Sequence, residues 1–124
     1  MALLAAACGS SGSSTTSSTP TTSTSSSTGA AAGGKFLACM VTDSGGINDK
    51  SFNQAIYQGI QAAAAANSNI TYKYLLSTTT SDYASNITVL LGRKCGIIVT
   101  NGFLMGQATQ TAAKANPSAK FSIV

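Results

Sequence analysis

The stretch "CMVTDSGGINDKSFNQ", residues 39–54, decides the fold of this chain. An apolar run, "KFLACMVT" at 35–42, stops at Asp43, and its length suits a strand buried on both faces, as in a parallel sheet. Gly45 and Gly46 make a turn, and from Ser51 to Ala66 the apolar positions Phe52, Ala55, Ile56, Gly59, Ile60, Ala63 and Ala64 keep the i, i+3, i+4 spacing of a helix. Asp49 or Ser51 is a natural N-cap and Asn67 a natural stop. Strand, glycine loop and helix in this order are the first half of a βαβ unit. The chain has three acidic residues, all Asp, and two of them lie in this loop.

Outward from that unit the pattern repeats. "ITYKYLL" (70–76) reads as a second strand and "DYASNITVLLGRK" (82–94) as a second helix. "CGIIVT" (95–100) is a third strand, "NGF" a turn, and "LMGQATQTAAKAN" (104–116) a third helix stopped by Asn116-Pro117. "KFSIV" (120–124) begins a fourth strand. The alternation predicts an α/β fold, a parallel sheet with helices on both faces. In such sheets ligands bind at the carboxyl ends of the strands where strand order reverses, here between the first and third strands. Loops 43–50 and 101–103 are therefore expected to be neighbours, each leading to a helix N-terminus whose free N–H groups suit polar or anionic ligand atoms. With Thr42 and Thr100 level, Cys39 pairs with Ile97 and Cys95 falls lower, an offset poor for a bridge, so two buried thiols are expected.

Before Lys35 the chain is of another kind. From Ser10 to Thr28 every residue is Ser or Thr except Gly12 and Pro20, a composition that cannot offset its ordering entropy, so residues 9–34 read as a disordered linker and 35–124 as the foldable domain. "MALLAAACGSS" resembles the end of a bacterial lipoprotein signal peptide, which implies processing over residues 1–8 and a lipid on Cys8. It departs from that pattern in carrying Ala5 where Leu is usual and in lacking a basic leader.

The exclusions are informative. The chain has no His and no Glu, so no Ser-His-Asp or Cys-His site can form within it. Zinc would have to draw its ligands from three Cys and three Asp with no C-x-x-C, and no phosphate-binding loop motif occurs; no metal or cofactor is implied. The net charge is +4, but the seven basic residues are scattered, which argues against nucleic acid as a partner.

At the expected crevice, the Asp43 carboxylate suits vicinal hydroxyls such as those of a ribose. Phe52 could stack on a flat ligand and Asn53 offers both donor and acceptor, although each also has a plain structural role open to it. "MVTDSGGINDKSFNQAIYQGI" resembles the start of the basic membrane protein family, substrate-binding lipoproteins of ABC transporters similar to purine nucleoside receptor A. "GIIVTNGFLMGQA" and "NPSAKFSIV" fall where that family has its third strand, "GF" turn and fourth strand.

The resemblance implies a type I periplasmic-binding-protein fold, of which this chain would supply most of the N-terminal lobe. It implies a nucleoside ligand held by Asp43, Phe52 and Asn53, with Gly102 and Phe103 lining the same cleft. The other partners it implies are an ABC permease and, through the lipid anchor, the extracytoplasmic face of a bacterial membrane. Gln107 departs from the family, which often has Asp in that stretch. The chain ends inside its fourth strand, so a longer protein is expected. Two other classes stay open: an enzyme using Asp43 or Asp49 in phosphoryl or metal chemistry, and a surface tether that binds nothing.

Overall fold

A computed structural model describes residues 34–124. Cys8, the expected lipidation site, and the expected linker up to residue 33 lie outside the described residues. The element order is β1 (Phe36–Val41), α1 (Phe52–Ala66), β2 (Ile70–Leu75), α2 (Asp82–Gly92), β3 (Ile97–Thr100), a single 3-10 turn (Phe103–Met105), α3 (Gly106–Ala115) and β4 (Phe121–Ile123). The four strands form one parallel sheet in the order β2-β1-β3-β4. The α/β class expected from the alternation is the one observed, and strand order reverses between β1 and β3.

Side-chain alternation along the central strands divides the sheet into two faces. Cys39, Val41 and Ile98 point to one side and form the core with Tyr83, Ile87 and Leu90 of α2 and with Met105. Ala38 and Met40 point to the other, as do their β2 neighbours Tyr72 and Tyr74. On that face Tyr57 of α1 meets Tyr72 and Tyr74 edge-on, with ring centroids 5.9 Å and 5.0 Å away.

That tyrosine cluster sets the rotation of α1. Its inward line is Asn53, Ile56, Tyr57, Ile60, Gln61 and Ala64, while Phe52, Ala55, Gly59 and Ala63 are exposed. The apolar spacing placed Phe52 on the packed stripe; the helix is instead turned so that Tyr57 can cover β2.

Two expectations are corrected by the register. Val41, not Thr42, is level with Thr100, and Cys39 is opposite Ile98. The third strand starts at Ile97, because Lys94 at φ 55 turns the chain sharply out of α2 before it joins the sheet. Cys95 therefore enters from the α2 side, where it packs on the core. Its Cα lies 5.9 Å from that of Cys39, and the two form a disulfide where free thiols were expected. Among the described residues no helix is long and apolar enough to cross a membrane.

Candidate functional site

The carboxyl ends of β1 and β3 meet at the strand-order reversal, and Asp43 and Asn101 stand there two and one residues past the ends of their strands. Asn53 joins them from the first turn of α1. It is 0% exposed and every polar atom of its side chain is engaged. Its Nδ2 donates to Asp43 Oδ1 at 2.5 Å and to Asp49 Oδ2 at 3.1 Å. Its Oδ1 accepts the Asp43 N–H at 3.3 Å and the Asn101 Nδ2 at 2.6 Å. Asn53 is thus closed to solvent, and its side chain holds the loop together.

Asp49 has the capping role. Its carboxylate accepts the N–H groups of Ser51 at 2.8 Å, Gln54 at 3.1 Å and Asn53 at 3.2 Å. Burial pushes this carboxyl up, but those backbone bonds and the Asn53 amide outweigh it and hold it below the ordinary carboxylate range. The N–H groups expected to be free at the start of α1 are consequently taken at Asn53 and Gln54. Asp82 does the same for the loop after β2, where the N–H groups of Thr79 and Thr78 and the Thr78 hydroxyl lower its carboxyl.

Asp43 differs from both. Oδ1 faces inward, taking the Gly45 N–H at 2.9 Å besides Asn53. Oδ2 accepts no hydrogen bond among the described residues and lies 3.2 Å from where a Cβ on Gly102 would sit. Gly102 has φ 87 and ψ 149, a conformation open almost only to glycine, and its N–H donates to Val124 O at 2.9 Å. The carboxylate is half-buried, with one oxygen fixed and one uncommitted.

An exposed phenylalanine adjoins two of the residues that touch Asp43, Asn53 and Gly102. Phe52, beside Asn53, is 67% exposed, and Phe103, beside Gly102, is 89% exposed. Rings that bury so little in the fold contribute little to it, and both belong to the edge that carries Asp43. Of the residues named from the sequence, Asp43, Phe52, Asn53, Gly102 and Phe103 all lie at the carboxyl end of the sheet, Asn53 buried beneath the others. The sequence reading missed Asn101, whose signal was a polar residue directly following an apolar strand at the reversal point.

Gln107 is elsewhere: it lines a groove of about 480 Å³ between α2 and α3 with Tyr83, Leu104 and Ala108. No residue of the Asp43 network contributes to that groove. Among the described residues no group of three or more His, Cys, Asp or Glu could hold a metal ion.

A family model described as ABC transporter substrate-binding protein, PnrA-like, matches residues 36–124. Among curated relatives, the chain is 37% identical over 90 residues to the ABC transporter nucleoside-binding protein BmpA of Lactococcus lactis subsp. cremoris. The match covers 70% of this chain and 26% of the relative. It is 33% identical over 93 residues to the CD4+ T-cell-stimulating antigen of Listeria monocytogenes, and equally to that of Listeria innocua, covering 72% of this chain and 26% of each relative. The chain thus spans about a quarter of the length of the curated relatives it matches. In three dimensions it is similar to the crystal structure of a fragment of a candidate lipoprotein from Peptoclostridium difficile 630. The TM-score is 0.65 at 22% identity, over 72% of each chain, a likeness of fold alone. The long motif around Asp43, the parallel β2-β1-β3-β4 sheet and the family match over the described domain agree, and the chain belongs to the Bmp family of PnrA-like ABC transporter substrate-binding proteins.

Proposed function

We propose that the edge carrying Asp43 is one wall of a nucleoside cleft in the substrate-binding component of an ABC importer. The observation that carries this reading is the Asp43 carboxylate, held by one oxygen and open at the other, on an edge with two exposed phenylalanines. The free oxygen suits the vicinal hydroxyls of a ribose, the rings suit a flat base, and Gly102 leaves the backbone open to close approach. The name of the Lactococcus relative supports the ligand class.

In this reading the chain is not an enzyme. It is most of the N-terminal lobe, and a second lobe closes over the ligand by a hinge motion before the closed protein docks on a permease. Cys8 carries a lipid and residues 9–34 are a tether, which keeps the domain at the extracytoplasmic membrane surface. The Cys39–Cys95 disulfide supports an oxidising compartment.

The test is a nucleoside titration. Purine and pyrimidine ribonucleosides are titrated into the ¹⁵N-labelled chain, and a thermal-shift screen is run on the protein with whatever second lobe its reading frame encodes. Resonances of Asp43, Gly45, Phe52 and Phe103 are expected to move together. No response to any nucleoside in either experiment rejects the ligand class. Mass spectrometry of the membrane-extracted protein tests lipidation of Cys8.

A further inference from the structure

The buried amides behind Asp43 can be oriented in only one way. Asn53 Nδ2 faces two carboxylate oxygens, Asp43 Oδ1 and Asp49 Oδ2, and only an NH2 group suits that position. Its carbonyl oxygen must then receive both the Asp43 N–H and a donor from β3's end, so Asn101 has to present its own NH2. As a result Asn101 Oδ1 is left buried with no partner among the described residues, in a residue only 1% exposed. An unpaired buried carbonyl opposes folding, so Asn101 carries a cost that an apolar side chain at this position would not.

We propose that Asn101 is a positioning residue for ligand recognition. It touches no ligand. It locks the Asn53 amide, and the locked amide holds Asp43 Oδ1 inward so that Oδ2 stays beside Gly102, presented to a vicinal diol. Asn101 thereby sets the discrimination between a ribonucleoside and a nucleoside without sugar hydroxyls. The ligand in this statement rests on the nucleoside reading above; the positioning itself does not.

The experiment uses the full ¹⁵N-labelled chain with Asn101→Ala and, in case the alanine variant fails to fold, Asn101→Ser, whose hydroxyl is too short to reach Asn53 in the same way. Without ligand, hydrogen exchange of the Asn53 side-chain amide is expected to accelerate roughly tenfold or more, the loss of about one hydrogen bond. The backbone amides of Leu90 and Ile98 in the core keep their protection. Unchanged protection of Asn53 overturns the proposal, and so does equal acceleration throughout the core, which would make Asn101 a packing residue only.

With ligand, the affinity ratio between a ribonucleoside and its 2′,3′-dideoxy counterpart is expected to fall towards one, with affinity for the dideoxy compound unchanged. Equal loss for both compounds overturns the proposal. If the wild-type chain binds no nucleoside, the ligand reading fails and the exchange result alone decides the role of Asn101.

Discussion

Asp43 and Asn53 hold each other by a reciprocal pair of hydrogen bonds across a ten-residue loop, Asn53 Nδ2 donating to Asp43 Oδ1 and the Asp43 N–H donating back to Asn53 Oδ1. Because Asn53 is fully buried, the pair is shielded from competing water. Asn53→Ala is expected to destabilise the domain by about 2–4 kcal/mol, since it strands the Asn101 amide and removes the partner of a carboxylate. Urea unfolding followed by circular dichroism measures it; a loss below about 0.5 kcal/mol would mean that the amide network is not formed in solution.

Gly102 is the second constraint on that carboxylate. A Cβ there would sit 3.2 Å from Asp43 Oδ2, and the backbone angles are those of a glycine. Gly102→Ala is expected to cost about 1–3 kcal/mol of stability from backbone strain. It should also move the Asp43 and Gly45 resonances, visible in a ¹H–¹⁵N spectrum.

The exposed rings behave oppositely. Phe52→Ala and Phe103→Ala are expected to leave stability within about 0.5 kcal/mol of wild type, because neither ring is packed. Each should weaken nucleoside binding by about 1–3 kcal/mol if the rings stack on a base. Calorimetric titration against unfolding curves of the same variants separates the two effects.

The disulfide joins Cys39 of β1 to Cys95 across a sequence separation of 56. Closing a loop of that length restricts the unfolded chain and contributes about 4 kcal/mol by the chain-entropy relation. The double variant Cys39→Ala, Cys95→Ala should therefore unfold at markedly lower urea, and adding reductant to it should have no further effect. Wild type treated with reductant while unfolded should refold to the stability of that variant.

Acid should destabilise the domain in one window. Asp49 and Asp82 both have folded-state values below their ordinary value of 3.8, so the stability they contribute is present above that value and is lost as pH falls through the lowered ones. The chain has no His, so the urea midpoint is expected to be flat between about pH 5 and 8 and to fall below about pH 4. A midpoint that rises on acidification would show that neither carboxylate makes its capping bonds.

The order of elements and the parallel topology were readable from the sequence, because apolar period and Gly, Asn and Pro punctuation are local signals. Asp43 could be placed at the reversal point for the same reason: it directly ends an apolar run, and the strand alternation fixes which loops converge. Asp49 could be read as a cap because a capping side chain serves residues a few positions away.

What only the tertiary structure decided involves partners far apart in the chain. The Asn101–Asn53 bond spans 48 residues, and nothing local distinguishes an Asn that will be buried from one that will be solvated. The rotation of α1 followed from Tyr57 meeting two tyrosines of β2, which exposed Phe52 and buried Asn53. A shift of a single residue in the β1–β3 register, with a turn at Lys94, brought two cysteines within bonding range. Composition and period determine which elements form; register and helix rotation are set by packing between them, and here those decide which side chains hold Asp43 in place and which stay exposed.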